Sequence, residues 1–170
     1  MMKTSPYTEP RQRIAMFPGS FDPFTRGHES VVRRALALFD EVVIAIGVNA
    51  DKKGLLTPQQ RKALIESVFQ GDECVRVCIY DQLTVDFARQ CGAQFLLRGV
   101  RSVLDFENEK TLAEVNRQLA GIETVLLYTL PQDGHVSSSI VRELLRYGQD
   151  VKPLLPAAAD FSIIQAALAK

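Results

Sequence analysis

The residues best suited to chemistry lie in one short stretch, GSFDPFTRGH at positions 19–28. An apolar run over 14–17 precedes it, and apolar residues at helical spacing follow it from Val31 onwards. The Pro, Gly and Asp-Pro residues between them predict a tight turn from a strand into a helix. Backbone N–H groups at a helix start attract anions, yet the stretch has neither a Walker A nor a dinucleotide-binding glycine pattern. It therefore predicts an anion site of another design, with His28 at the start of the helix.

Strands and helices alternate along the chain. Apolar runs predict five strands, over 14–17, 41–48, 74–80, 94–97 and 123–130, with helical patterns between and after them. This alternation predicts an α/β fold, a doubly wound five-stranded parallel sheet of the Rossmann-like kind with the strand order 3-2-1-4-5. Ligands of such a sheet bind beyond the carboxyl ends of strands 1 and 4, where the order reverses.

Cationic and hydroxyl-bearing residues follow the predicted strand ends, so we expect them to converge on one crevice. They are Ser20, His28, Lys52, Arg98, Arg101 and Ser137 to Ser139. Such a set, without paired carboxylates, suits phosphates and the charge of a phosphoryl transition state. A phosphate monoester is mostly dianionic at neutral pH because its second pKa is about 6, so it can attack phosphorus without a general base.

These groups also have purely structural explanations. The motif at 19–28 could be only a strand-to-helix turn whose His28 caps the helix. Lys52 and Lys53 could form a solvated loop, and the three serines could be no more than a helix cap. Arg98 and Arg101 could pair with acidic residues of the helix that follows them. The joint placement at one sheet edge favours the site.

Length and composition set further limits. The 170 residues suit a single domain over 14–170, preceded by a polar tail over 1–13 that we predict to be flexible. The 20 basic and 20 acidic residues cancel, which argues against a nucleic-acid or anionic-membrane binder. No apolar run approaches the roughly 20 residues that span a bilayer. The three cysteines suit a reducing cytoplasm, and Cys74 and Cys78 lack the further ligands of a metal site.

The motif at 19–28 resembles the T/H-x-G-H signature of the nucleotidylyltransferase superfamily, in the form typical of bacterial phosphopantetheine adenylyltransferases. The likeness extends over about 14–155, through the lysine pair at 52–53, LTVDFAR at 83–89, RGVRSVLDFENE at 98–109 and VSSSIVRE at 136–143. It implies transfer of the adenylyl group of ATP to 4′-phosphopantetheine in coenzyme A biosynthesis. It further implies Mg²⁺ held mainly by ATP rather than by protein ligands, and a homohexamer.

The resemblance also assigns roles to residues. His28, Lys52 and Arg98 would be catalytic, and Ser20, Lys52, Thr84 and Arg98 would bind phosphopantetheine. Thr84 stands where many members carry Met. The ATP-binding residues would be Ser20, Phe21, His28, Gly99, Val100, Arg101, Glu109, Asp133, Gly134, His135, Val136, Ser137, Ser138 and Ser139.

Other functions compete with this interpretation. A cytidylyl- or other nucleotidyltransferase with a different acceptor would share the first motif, although the segments at 98–109 and 136–143 favour the pantetheine enzyme. A catalytically silent nucleotide-binding regulator would not need His28, Lys52 and Arg98 together. A nucleic-acid-binding module is disfavoured by the neutral charge.

Overall fold

The computed structural model describes residues 12–49 and 53–169, which form a parallel sheet with helices on both faces. The strands are β1 (Ile14–Gly19), β2 (Glu41–Gly47), β3 (Val75–Tyr80), β4 (Phe95–Val100) and β5 (Glu123–Tyr128). The helices are α1 (Arg26–Ala35), α2 (Pro58–Val68), α3 (Thr84–Gln90), α4 (Val103–Ala120), α5 (Ser138–Arg146) and α6 (Phe161–Leu168). The strand order is β3-β2-β1-β4-β5 and every neighbouring pair is parallel, so the predicted fold is confirmed.

The central strands β1 and β2 are buried on both faces. Ala15 and Phe17 of β1 belong to one core cluster, whereas Met16 belongs to the other. Residues of α1, α2, α5 and α6 complete the first cluster, and residues of α3 contribute to the second. Burial on both faces explains why these strands are continuous apolar runs in the sequence. Of the tail predicted over 1–13, residues 1–11 lie outside the described residues.

Strand β4 is longer than the sequence indicates. It continues past the predicted end at 97 to Val100, so Arg98 and Gly99 lie within the strand and not after it. Gly99 pairs with Leu127 of β5, and a Cβ at Gly99 would lie 3.1 Å from Cγ2 of Val31. Glycine marks the close approach of α1 to the strand here, and it does not end the strand.

Helix α4 buries none of its residues within the described chain. Val103 and Leu104 expose 79% and 72% of their surfaces. Further apolar side chains are exposed along the helix, namely Phe106, Leu112, Val115 and Leu119. None of the helices described is long and apolar enough to cross a membrane. Large exposed apolar patches commonly mark interaction surfaces.

The carboxylate of Asp22 joins two loops at the carboxyl edge of the sheet. Asp22 is only 5% exposed, and its oxygens accept hydrogen bonds of 2.8 Å from the N–H groups of Leu55 and Leu56. Nε of Arg61 lies 3.5 Å from the same carboxylate and donates to the Leu56 carbonyl. A buried carboxylate is costly unless it is paired and hydrogen-bonded. These contacts therefore hold the segment after β2 against the turn after β1.

We expect Gly54→Ala to destabilise the protein by about 1–3 kcal/mol, the usual cost of overpacking a filled site. A Cβ at Gly54 would lie 2.1 Å from Nη2 of Arg61 and 2.6 Å from Oδ2 of Asp22. Oδ2 of Asp22 accepts from the Leu55 N–H, and Nε and Nη1 of Arg61 donate to the carbonyls of Leu56 and Ser20. Neither side chain can therefore make room without disturbing these contacts. The measurement is the free energy of unfolding in urea.

Gly134→Ala is the matched control for this measurement. Gly134 has a right-handed backbone conformation, and the nearest atom to an added Cβ would be the Pro131 carbonyl oxygen at 3.5 Å. We expect little change in its free energy of unfolding. Equal values for Gly54→Ala and the wild type would show that the contact around Asp22 and Arg61 is not tight.

Candidate active site

A cavity of about 370 Å³ opens at the carboxyl ends of β1 and β4, where the strand order reverses. The turn after β1, the end of β4 and the first turns of α1 and α5 border it. This is the position that the strand order predicts for a ligand.

The turn after β1 has a conformation that its residue types explain. Phe21 has a left-handed φ of 48°, which bulky residues rarely adopt. Its ring packs against Gly19, where an added Cβ would lie 2.7 Å from Cζ of Phe21. Only glycine leaves room for that ring. Backbone strain of this kind persists where the surrounding structure holds it, which is common at functional sites.

His28 is held in one tautomer. The backbone N–H of Thr25 donates a hydrogen bond of 3.0 Å to Nδ1 of His28. Because an N–H group can only donate, Nδ1 carries no proton and the proton lies on Nε2. His28 borders the cavity, so Nε2–H is the group that it offers to a ligand there.

The surroundings of His28 also fix its charge. Three phenylalanine rings have their centroids 5.2 to 6.2 Å from the imidazole centroid. Burial, followed by the positive charges of Arg98 and Arg101, lowers the pKa of His28 to about 4. His28 is therefore neutral at pH 7. It can stabilise developing negative charge as a hydrogen-bond donor, without serving as a cation.

Serines at the start of α5 combine structural contacts with a place at the cavity. Oγ of Ser137 caps the helix by accepting from the N–H of Ile140 at 3.2 Å. Oγ of Ser138 donates to the carbonyl of Pro23 at 2.8 Å. The capping explanation is therefore correct for Ser137, while all of residues 137–139 border the cavity.

Two helices begin at the cavity. Gly27 and His28 in the first turn of α1 border it, as do Ser138 and Ser139 in the first turn of α5. The first N–H groups of a helix lack partners within the helix and carry partial positive charge. Two such termini at one cavity favour an anionic ligand such as phosphate.

Arg98 and Arg101 border the cavity and also form ion pairs with carboxylates of α4. Arg98 contacts Glu109 through Nε at 2.8 Å and Nη2 at 2.5 Å. Nε of Arg101 lies 3.3 Å from Asp105. The ion pairs considered as an alternative therefore exist, and all four residues line the cavity.

A smaller cavity of about 190 Å³ adjoins the first. Both are bordered by Pro18, Gly19, Arg98 and Glu109. Its other residues are Tyr80, Thr84, Leu112, Ala113 and Asn116. The Tyr80 and Thr84 hydroxyls lie 3.1 Å apart, and the Tyr80 ring stacks on Phe87. Helix α4 contributes Leu112 and Ala113 to the lining of the smaller cavity but only Asp105 and Glu109 to that of the larger one. The smaller cavity therefore suits an uncharged part of a ligand.

Most of the predicted ATP-binding residues border the larger cavity. They are Ser20, Phe21, His28, Gly99, Arg101, Glu109, Val136, Ser137, Ser138 and Ser139. Of the predicted phosphopantetheine residues, Ser20 borders the larger cavity, Arg98 borders both and Thr84 borders the smaller one. Lys52 lies outside the described residues.

Val100, Asp133, Gly134 and His135 are described residues that the structure does not bring to the cavity lining. Asp133 is buried, and its carboxylate lies 2.9 Å from Nε of Arg26. The contact joins the segment before α5 to the first residue of α1. The Asp133 carboxylate therefore serves the contact between these two segments and does not border the cavity.

Arg142 was not singled out from the sequence, although it borders the cavity. Nη1 donates to the carbonyl of Asp22 at 2.6 Å, and Nη2 donates to Oγ of Ser139 at 3.2 Å. A signal was present, because Arg142 follows Ser138 by four residues and such residues share a helix face. Thr129 also borders the cavity, but no motif marks it.

Among residues 12–49 and 53–169, no three His, Cys, Asp or Glu side chains are grouped as metal ligands. The two carboxylates at the larger cavity, Asp105 and Glu109, contact arginines. The remaining polar groups at the cavity are mainly N–H and hydroxyl donors. The described residues thus suit an anion better than a bare cation.

We expect the imidazole of His28 to titrate with a pKa of about 4 and to carry its proton on Nε2 at neutral pH. The reasons are its aromatic surroundings and the hydrogen bond from Thr25. The measurement is a pH titration of the imidazole ¹⁵N and ¹H signals by NMR. The chain has only two histidines, so in a His135→Gln variant all remaining imidazole signals belong to His28.

A pKa near the ordinary value of about 6.5 would contradict the burial of the imidazole. A proton on Nδ1 at neutral pH would contradict the hydrogen bond from Thr25.

Solved structures with the same fold include a bifunctional NMN adenylyltransferase/ADP ribose pyrophosphatase from Francisella tularensis. Its complex with AMP and a manganese ion superposes with a TM-score of 0.71 at 16% identity, covering 94% of this chain and 50% of that one. Another structure of a bifunctional NMN adenylyltransferase/ADP ribose pyrophosphatase from Francisella tularensis gives a TM-score of 0.74 at 15% identity, covering 94% of this chain and 51% of that one. The chain thus spans about half the length of these proteins, and at such identity the likeness shows the fold alone.

Sequence comparison is more specific. The sequence model of the cytidylyltransferase-like family matches residues 16–144. Phosphopantetheine adenylyltransferase of Phocaeicola vulgatus is 57% identical over 144 residues, which cover 85% of this chain and 95% of that protein. The corresponding proteins of Bacteroides fragilis and Bacteroides thetaiotaomicron are 52% and 49% identical, covering 87% and 88% of this chain and 99% of each relative. The chain therefore belongs to the phosphopantetheine adenylyltransferase family, within the cytidylyltransferase-like proteins.

Proposed function

We propose that this chain transfers the adenylyl group of ATP to 4′-phosphopantetheine, giving dephospho-coenzyme A and pyrophosphate. The observation that carries the proposal is the wall of the larger cavity. Arginines, hydroxyls and two helix N-termini converge there, while its carboxylates are paired with arginines. The names of relatives 49–57% identical to this chain favour this acceptor over that of another nucleotidyltransferase.

The phosphate of the acceptor would be the nucleophile. One of its oxygens attacks the α-phosphorus of ATP and forms a P–O bond, while the bond from that phosphorus to pyrophosphate breaks. Since the second pKa of a phosphate monoester is about 6, the nucleophile is mostly ionised at pH 7 and needs no general base. The protein has to align the reactants and stabilise the charge of the transition state.

His28 would provide that stabilisation at the α-phosphate. Its Nε2–H can donate to a phosphate oxygen, and its low pKa keeps it a neutral donor throughout the reaction. Arg101 and the first turn of α5, with residues 137–139, would hold the leaving phosphates. Arginine and helix N-termini are typical phosphate ligands.

The acceptor would lie across both cavities. The smaller cavity, with Thr84 and Leu112, would take the pantetheine arm. Arg98, at the boundary between the cavities, would bind the acceptor phosphate together with Ser20 and Lys52. This arrangement would bring the acceptor phosphate beside the α-phosphate that His28 contacts.

Mg²⁺ would enter with ATP. The described residues fit an ion held by triphosphate oxygens and water, because their carboxylates at the cavity are engaged by Arg98 and Arg101. When bound, the ion reduces the negative charge of the phosphates. The donors named above would then hold the nucleotide in place.

We also propose that the chain assembles as a homohexamer in the cytoplasm. The exposed apolar residues of α4, from Val103 to Leu119, supply a surface that a second copy would cover. The cysteines at positions 74, 78 and 91 are free thiols, as is usual in a reducing compartment.

The direct test measures pyrophosphate release from ATP and Mg²⁺ with either 4′-phosphopantetheine or pantetheine as acceptor. We expect release only with the phosphorylated compound, because its phosphate is the nucleophile. Release with both compounds would point to attack by water or by a hydroxyl. Release with neither would overturn the proposed acceptor, and ATP binding measured alongside would identify a silent nucleotide binder.

We expect His28→Ala to lower kcat about 10²- to 10³-fold, the usual cost of removing one transition-state donor. The Kd for ATP should change little. His28→Gln should retain more activity than His28→Ala, because the amide can still donate a hydrogen bond. Equal losses in the two variants, or a weakened ATP complex that turns over normally, would contradict the donor role.

A further inference from the structure

Arg98 and Glu109 form a two-point ion pair at the boundary between the two cavities. Nε of Arg98 donates to Oε2 of Glu109 at 2.8 Å, and Nη2 donates to Oε1 at 2.5 Å. The two side chains expose only 30% and 13% of their surfaces. The pair is thus shielded from much of the solvent that weakens exposed ion pairs.

The backbone of β1 adds a third contact to Arg98. Nη1 donates to the carbonyl of Pro18 at 2.5 Å. A guanidinium carries five N–H donors in one plane. The contacts to Glu109 and Pro18 use three of them, which leaves one N–H on Nη1 and one on Nη2. Because three contacts fix the plane, the two remaining N–H groups also have a fixed direction.

Both terminal nitrogens of the guanidinium thus keep one N–H that can donate to phosphate oxygens. Without Glu109, Arg98 would keep only the contact to Pro18. The substrate itself would then have to order the long side chain, which loses rotamer entropy in the process.

We propose that Glu109 is a positioning residue, which orients Arg98 so that its two remaining N–H groups align the acceptor phosphate with the α-phosphorus. This inference rests on the proposed function and deepens it. It assigns to Glu109 an action through Arg98 instead of a direct contact with ATP.

The geometry favours this role over direct ATP binding. Both carboxylate oxygens of Glu109 already accept hydrogen bonds from Arg98. A carboxylate released from that pair would repel a triphosphate. Asp105 offers a contrast, because its contact to the Arg101 guanidinium is a single one at 3.3 Å. Two ion pairs join described residues of the larger cavity's lining. Of these, only the pair of Arg98 and Glu109 holds its guanidinium at two points.

The test is a double-mutant cycle on pyrophosphate release with Glu109→Gln, Arg98→Ala and the double variant. We expect Glu109→Gln to lower kcat about 10- to 100-fold, since a misplacement of about 1 Å can cost that much. The KM for ATP should stay that of the wild type. The KM for 4′-phosphopantetheine should not rise, because the substitution also removes a repulsive charge. In the Arg98→Ala background, Glu109→Gln should have little further effect.

Two further variants separate geometry from charge and from general damage. Glu109→Asp keeps the carboxylate but is one methylene too short for the two-point contact, so its kcat should resemble that of Glu109→Gln. Glu107→Gln removes the same charge from an exposed position on α4 and should leave kcat unchanged. The Tm of each variant, measured in parallel, shows that it is folded.

A raised KM for ATP with unchanged kcat, wild-type kcat in Glu109→Asp, or multiplicative losses in the double variant would each overturn the positioning role. Failure of the proposed function would look different. In that case the wild type itself would release no pyrophosphate with 4′-phosphopantetheine.

Discussion

The candidate active site depends on one buried carboxylate, that of Asp22. Packing of apolar side chains is not directional and cannot by itself fix the course of two neighbouring loops. Asp22 supplies the direction, because its side chain accepts from the N–H groups after β2 while its own carbonyl accepts from Arg142 of α5. Arg61 balances its charge, so removing either partner would leave an unpaired ion in the interior. Asp22 thereby joins its own turn to the segment after β2 and to α5.

The same aromatic packing that forms the turn also sets the chemistry of His28. The ring of Phe21 covers Gly19 on one side and meets the imidazole edge-on at 5.2 Å on the other. The apolar contact lowers the pKa of His28, and the nearby arginines lower it further. The cavity is lined by Arg98, Arg101 and Arg142, and His28 adds an uncharged hydrogen-bond donor beside these cationic side chains. Fixed donors of this kind stabilise developing charge without the cost of reorganising during the reaction.

The sequence predicted the fold well because two properties of parallel sheets are visible in it. Strands buried on both faces are continuous apolar runs, and alternation with helices leaves few possible strand orders. Its errors have local causes. The apolar run stops at 97, but β4 continues through Arg98 and Gly99, where the glycine allows the close approach of Val31, and so β4 was predicted too short. In α4, the spacing of apolar residues indicated a helix correctly but could not show that its apolar side chains are exposed rather than packed on this chain's core.

For the site, the sequence predicted which segments meet but not which side-chain atoms remain for a ligand. Parallel strands bring Ser20, His28 and Arg98 to one edge, so their convergence could be inferred from order alone. The sequence offered ion pairs of Arg98 and Arg101 only as an alternative, because which of several carboxylates an arginine contacts depends on distances in the folded chain. Asp133 and Glu109 both pair with an arginine, yet Asp133 is buried outside the cavity lining and Glu109 lies in its wall. The difference matters chemically, since an arginine held by a carboxylate within the wall keeps donors for a phosphate. The motif therefore specifies the composition of the site, and the geometry of its ion pairs decides which residues act on the substrate and which act through a neighbour.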